Sequence, residues 1–251
     1  STNFPAKETK SPPSPMTTGK LYLIPVPLGP MPAATVLPQH VVACTQRLKH
    51  FVAENARTAR AFLKSLPVEL PVQQIEICEL SEHTPASSLP RLLAPALAGA
   101  DLGLISEAGC PAVADPGAAL VALAHQRGVQ VVPLVGPSSI LLALMGSGLS
   151  GQSFAFHGYL PSNTPEREKR LLELEKDSRQ QQRTQIFIET PYRNRQMLES
   201  LLAKCAPGTR ICLAVDLTLA SEQITTRAVS EWRRQPLPDI SRRPTVFLLQ
   251  S

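Results

Sequence analysis

Two short stretches hold the residues best suited to bringing main chain against a ligand. They are Ser106-Glu107-Ala108-Gly109-Cys110-Pro111, running on to Asp115-Pro116-Gly117, and Val135-Gly136-Pro137-Ser138-Ser139. Each follows an apolar, strand-like run and leads into an apolar, helix-like one. Small residues there let backbone amides and carbonyls touch a bound molecule that a bulky side chain would hold off. Two such loops about one βα unit apart predict a pocket at the carboxyl ends of neighbouring parallel strands. Arginine clusters add anion chemistry: Arg57 and Arg60 fall one helical turn apart, Arg193 and Arg195 sit near a helix start, and Arg233-Arg234 and Arg242-Arg243 are doublets. The guanidinium fork suits phosphates and carboxylates alike.

The elements that must position these residues follow from periodicity. Residues 1–18 are rich in Pro, Ser, Thr and Lys and read as a disordered tail. From Leu21 the pattern is βα, with strands near 21–26, 49–53, 75–79, 101–106 and 129–135. Helical patterns lie near 38–47, 56–65, 87–98 and 117–127. Leu21-Tyr22-Leu23-Ile24 and Val129-Gln130-Val131-Val132 are nearly continuous apolar runs, as strands covered on both faces should be. Beyond the helix-like Ile140–Met145 the texture changes. A strand at 153–158, a charged helix at 166–179 and a strand at 184–188 precede Thr190-Pro191, which reads as an N-cap followed by proline at the first helical position. That helix buries Met197, Leu198, Leu201 and Leu202, and strands follow in close succession at 210–216, 222–229 and 245–249. The expected fold class is α/β, in two α/β domains with a cleft between them. The N-terminal domain (19–135) carries a mainly parallel sheet and the C-terminal domain (136–251) a mixed one.

Composition narrows the function classes. The apolar fraction of 43% and charged fraction of 18% describe a globular protein, and no apolar run reaches the roughly 18 residues needed to span a bilayer. The first residues lack an apolar stretch of the secretory kind, so no signal is expected. Cys44, Cys78, Cys110, Cys205 and Cys212 show no CxxC spacing, which predicts free thiols in a reducing cytoplasm. Scattered histidines predict no metal site. A net charge of +5 permits a polyanionic partner, while 7 Phe, 3 Tyr and 1 Trp are too few for a continuous base-stacking platform. Gly146-Ser147-Gly148-Leu149-Ser150-Gly151 satisfies GxGxxG, yet a helix precedes it and a strand follows it. A dinucleotide fingerprint needs the reverse order, so this stretch is a helix stop and turn.

In this order the motifs resemble the tetrapyrrole methylase superfamily of S-adenosylmethionine-dependent methyltransferases, over about residues 19–250. The resemblance is carried by Tyr22–Gly29, Glu54-Asn55-Ala56-Arg57-Thr58-Ala59-Arg60, Ser106–Gly117, Gly136-Pro137-Ser138-Ser139, Gly158-Tyr159-Leu160-Pro161 and Glu189-Thr190-Pro191-Tyr192-Arg193. The nearest branch methylates a cytidine ribose 2′-hydroxyl in small-subunit ribosomal RNA. Departures are Asn55-Ala56 where that branch has Asp-Thr, Glu107 for Asp, Cys110 for Thr, and Pro30 for Asn.

The resemblance implies S-adenosylmethionine as cofactor, RNA or a ribosomal subunit as partner, and a homodimer. It places Leu28, Ser106, Glu107, Ala108, Gly109, Cys110, Pro111, Val113, Ser138, Ser139, Glu189 and Leu217 around the cofactor. Glu54 is the candidate general base, and Asn55, Arg57, Arg60, Tyr159 and Arg193 are candidates for the acceptor side. Asp115, before Pro116-Gly117, reads as a helix N-cap. Two other expectations stand beside this one: methylation of a tetrapyrrole or another small anion, and a catalytically silent module that binds cofactor and RNA or protein.

Overall fold

The computed structural model describes residues 17–66 and 74–251. The tail reading therefore lies, up to residue 16, outside the described residues. Strands β1 (Lys20–Ile24), β2 (His50–Ala53), β3 (Glu76–Glu79), β4 (Leu102–Ile105) and β5 (Gln130–Pro133) form one parallel sheet in the order β3-β2-β4-β1-β5. Helices α1 (Gln39–Gln46) and α2 (Ala56–Ser65) cover one face, where Val42, Ala59 and Leu63 pack on Ile24, Phe51 and Ile105. Helices α3 (Leu89–Leu97) and α4 (Gly117–Gln126) cover the other, with Leu92, Leu93 and Leu120 on Leu21, Val52 and Leu104. Side chains alternate between faces along a strand, so two covered faces require the unbroken apolar runs seen in the sequence.

Helix α5 (Ser139–Ser147) leaves the end of the parallel sheet and packs against a second sheet. That sheet contains β6 (Phe154–Tyr159), β7 (Thr184–Ile188), β8 (Arg210–Val215), β9 (Gln223–Ala228) and β10 (Thr245–Gln250), in the order β6-β7-β10-β8-β9. Only β6 and β7 pair in parallel; the β7–β10, β10–β8 and β8–β9 pairings are antiparallel, so the sheet is mixed as expected. Its other face carries α6 (Thr164–Gln181), α7 (Asn194–Lys204) and the short α8 (Val229–Trp232). Cross-strand partners Phe187 and Phe247 stack there at 5.8 Å between ring centroids, and buried Trp232 donates its indole N–H to the Ile211 carbonyl.

Three local expectations meet their outcome here. Gly148 ends α5 with φ of +68°, so the GxGxxG stretch is a helix stop. Thr190 does not cap a helix with its side chain: Pro191–Arg193 form a single 3-10 turn, and α7 begins only at Asn194. Asp115 stands one residue before the N-cap position of α4, which Pro116 occupies. Its Oδ1 accepts from both Ala112 N and Gly117 N at 2.8 Å, closing the loop as well as the helix start.

Candidate active site

Strand order decides what meets. The neighbours β2, β4, β1 and β5 end side by side, with Ala53 opposite Ile105 and Ile105 opposite Ile24. The residues that follow them, Glu54, Ser106, Leu28 and Ser138, therefore emerge along one edge, where open α/β sheets bind ligands. A cleft of about 980 Å³ lies there, lined by Glu54, Ser106, Glu107, Ala108, Gly109, Cys110, Val113, Ser138 and Ser139 together with Phe156, Tyr159 and Ile188 of the second sheet. A second hollow of about 260 Å³ adjoins it, walled by Leu28, Glu189, Leu217, Ala214 and Val246. Ala108, Ser139, Tyr159 and Ile188 line both, so the two form one bilobed site. The larger volume is within the range of small-molecule sites.

The Ser106–Gly117 loop is shaped by its backbone. Gly109 has φ of +67°, and a Cβ there would stand 3.1 Å from Leu28 Cδ2 and 3.3 Å from the Pro137 carbonyl. Its amide and carbonyl pair reciprocally with Val26, and Ser106 Oγ donates to the Gly109 carbonyl at 2.8 Å. Left-handed Ala112 and Ala114 flank Val113, which is 48% exposed in the cleft. Cys110 Sγ donates to the Pro137 carbonyl, and burial pushes its thiol pKa up, which disfavours the thiolate. Ser138 Oγ accepts from Leu141 N and caps α5.

The second lobe rests on a strained turn. Asp216 and Thr218 both have positive φ, +50° and +72°, on either side of buried Leu217. A β-branched residue in that region is an outlier, and such strain is held only by surrounding contacts. Here Asp216 Oδ2 accepts from Arg243 Nε and Nη2 and from Ser221 Oγ, each at 2.8 Å, while Glu222 Oε2 accepts from the Thr218 amide at 2.7 Å.

Charge in the main lobe is one-sided. Glu54, Glu82, Glu107 and Asp115 line it, and among the described residues no lysine, arginine or histidine does. The Glu54 carboxyl is held above the ordinary glutamate value, first by burial and then by Glu107, Asp115 and Glu82. Asp115 is likewise raised by burial, against the two amides that hydrogen-bond it. Among the described residues no group of three or more His, Cys, Asp or Glu is placed to hold a metal.

Several expected residues stand outside both lobes. Pro111 is buried in the loop behind the cleft. Asn55 caps α2, its Oδ1 accepting from Arg57 N at 2.9 Å and Thr58 N at 3.3 Å. Arg57 and Arg60 are exposed on α2 beyond the cleft lining. Arg193 turns inward to Glu189, its Nη2 donating to Oε1 at 2.8 Å, which satisfies within the chain the cation expected to await a partner. The Glu189 side chain is 0% exposed, so this residue faces the second lobe only through its backbone. Sequence reading missed Glu82, Asp216 and Thr58. Thr58 Oγ1 donates to Glu107 Oε1 at 2.6 Å across 49 positions, and no local pattern marks such a pair.

The comparisons with known proteins agree with this geometry. The family model Tetrapyrrole (Corrin/Porphyrin) Methylases matches residues 20–232. The Ribosomal RNA small subunit methyltransferase I of Vibrio cholerae serotype O1 is 32% identical over 211 residues, covering 84% of this chain and 69% of that protein. The methyltransferase CobJ shares the fold at 20% identity and a TM-score of 0.61, over 93% of this chain and 95% of CobJ. A uroporphyrin-III C-methyltransferase from Thermus thermophilus, solved with S-adenosyl homocysteine, aligns over 93% of this chain and 98% of its own at 17% identity and a TM-score of 0.52. On the family match along most of its length, joined to a bilobed cleft at the strand ends, the chain belongs to the tetrapyrrole methylase family of S-adenosylmethionine-dependent methyltransferases.

Proposed function

We propose that this chain methylates a ribose 2′-hydroxyl of ribosomal RNA. The observation that carries the reading is the main lobe, lined among the described residues by carboxylates and no basic side chain. That lining attracts a cationic donor and repels anions. A tetrapyrrole bearing several carboxylates would meet charge of its own sign, whereas a sugar hydroxyl enters neutral. RNA phosphates would stay outside, where Arg57 and Arg60 lie on α2. The relative from Vibrio cholerae is named for ribosomal RNA, in the same direction.

When bound, S-adenosylmethionine supplies a methyl group on a sulfonium that leaves as a neutral thioether. The main chain of Ser106–Cys110 holds its amino-acid portion in this reading. Ser138, Ser139, Leu28 and the backbone at Glu189 and Leu217 hold the nucleoside. Glu54 takes the acceptor hydroxyl proton, and a raised pKa makes its ionised form a stronger base than an ordinary carboxylate. Tyr159, 59% exposed at the junction of the lobes, presents a flat aromatic face to an acceptor base.

The test is transfer of labelled methyl into small-subunit RNA, naked and as assembled subunits, from a strain lacking the modification. Label is expected in a ribose. Absence of label in both preparations, with S-adenosylhomocysteine still bound stoichiometrically, would favour the silent module; label in a tetrapyrrole alone would move the acceptor. A homodimer belongs to the same proposal. Leu141 and Met145, one turn apart on α5, are 51% and 79% exposed, an apolar stripe suited to a second copy. Light scattering should give twice the chain mass, and Met145→Glu should halve it.

A further inference from the structure

We propose that Thr58 is a positioning residue that holds Glu107 in the cleft as the counter-charge to the donor's sulfonium, so that the site prefers the cationic donor to its neutral product. The inference rests on the methylase reading of the cleft.

Thr58 lies in the first turn of α2, its amide held by Asn55 Oδ1 at 3.3 Å. Its Oγ1 stands 2.6 Å from Glu107 Oε1 and 3.0 Å from the Asn55 carbonyl. A hydroxyl has one proton to give, and a carboxylate forms the shorter, stronger bond. Glu107 is an exposed loop residue, and without this anchor its side chain would turn toward water. Glu54, Glu82 and Asp115 line the same lobe and add like-charge repulsion. The tether therefore acts against both solvation and like charge. It spends the extra methylene by which glutamate exceeds aspartate in reaching α2.

Among the described residues no basic side chain lines that lobe, so a cationic ligand supplies neutralising charge there. Methyl transfer removes one positive charge: the carbon–sulfur bond breaks, its electron pair returns to sulfur, and the methyl carbon bonds to the acceptor oxygen as that oxygen's proton leaves to the base. The ammonium and carboxylate of the amino-acid portion are common to donor and product and cancel in a comparison. What remains is the charge at sulfur, and a fixed carboxylate nearby reads it.

Titration calorimetry on the full chain tests this with S-adenosylhomocysteine and with sinefungin, which carries an ammonium where the donor has its methylsulfonium and transfers nothing. Wild type should bind sinefungin about threefold to tenfold more tightly than S-adenosylhomocysteine, the size of one partly exposed charge pair. Glu107→Gln should abolish the preference. Thr58→Val should lower it by about threefold while changing S-adenosylhomocysteine affinity by less than about twofold, and Thr58→Ser should restore it. An unchanged preference in Thr58→Val, or none in wild type, overturns the proposal. If S-adenosylhomocysteine fails to bind wild type at all, it is the methylase reading of the cleft that falls. Should Thr58→Val not fold, Glu107→Gln carries the test: a preference that survives it overturns the role of the pair.

Discussion

Glu54→Gln is expected to slow methyl transfer by about 10²–10³-fold, within the usual range for loss of a general base, and to leave S-adenosylhomocysteine affinity unchanged. The amide keeps the shape of the side chain and removes its ability to take a proton. Single-turnover transfer measured beside calorimetry separates the two effects; a variant with full turnover eliminates Glu54 as the base. The pH dependence has a definite sign. Burial, then Glu107, Asp115 and Glu82, raise the Glu54 carboxyl from 4.5, and the base works only when ionised. Transfer should therefore rise with pH through that raised value, and Glu54→Gln should lose this ascending limb. Stability should move the other way. Between 4.5 and the raised value the folded chain binds more protons at Glu54 than the unfolded chain does, so its contribution falls as pH rises through that window. Above it, thermal denaturation should show Glu54→Gln at least as stable as wild type.

Ala108→Phe is expected to weaken S-adenosylhomocysteine binding by about 100-fold or more, each tenfold being about 1.4 kcal/mol. Ala108 is exposed and lines both lobes, at the point where they meet. A phenyl ring there occupies the passage that a ligand extending from one lobe to the other must use. The substitution removes no buried contact, so stability should stay within about 0.5 kcal/mol of wild type. Calorimetry and a urea titration on the same preparation check both halves. Undiminished binding would show that the ligand does not cross the junction.

Much of the candidate cleft is legible in the sequence. A small-residue loop after an apolar run implies close backbone approach at Gly109, and the left-handed turn packed beside Leu28 and the Pro137 carbonyl is that approach. Glu54, Ser106 and Ser138 were each placed at a strand end, and parallel strands covered by helices deliver their carboxyl ends to one edge. Asn55 shows the limit. Its type fits equally an acceptor contact or a helix cap, and only the chain's path shows Oδ1 spent on two amides. Arg193 is an acceptor-side candidate by its motif, and only the fold shows its guanidinium paired with Glu189, four residues earlier.

The sequence by itself determined the order and type of the elements, the parallel and mixed sheets, and the small-residue loops. These rest on hydrophobic periodicity and turn sterics, which act over a few residues and are written locally. Only the tertiary structure decided the charge of the cleft and who controls it. Glu82 joins Glu54, Glu107 and Asp115 because β3, β2 and β4 lie side by side and end at one edge. Thr58 reaches Glu107 because α2 begins beside the loop after β4, and Asp216 and Thr218 adopt positive φ because Arg243, Ser221 and Glu222 hold them. Electrostatic environment and backbone strain depend on which distant loops the strand order brings together, and no spacing along the chain encodes that.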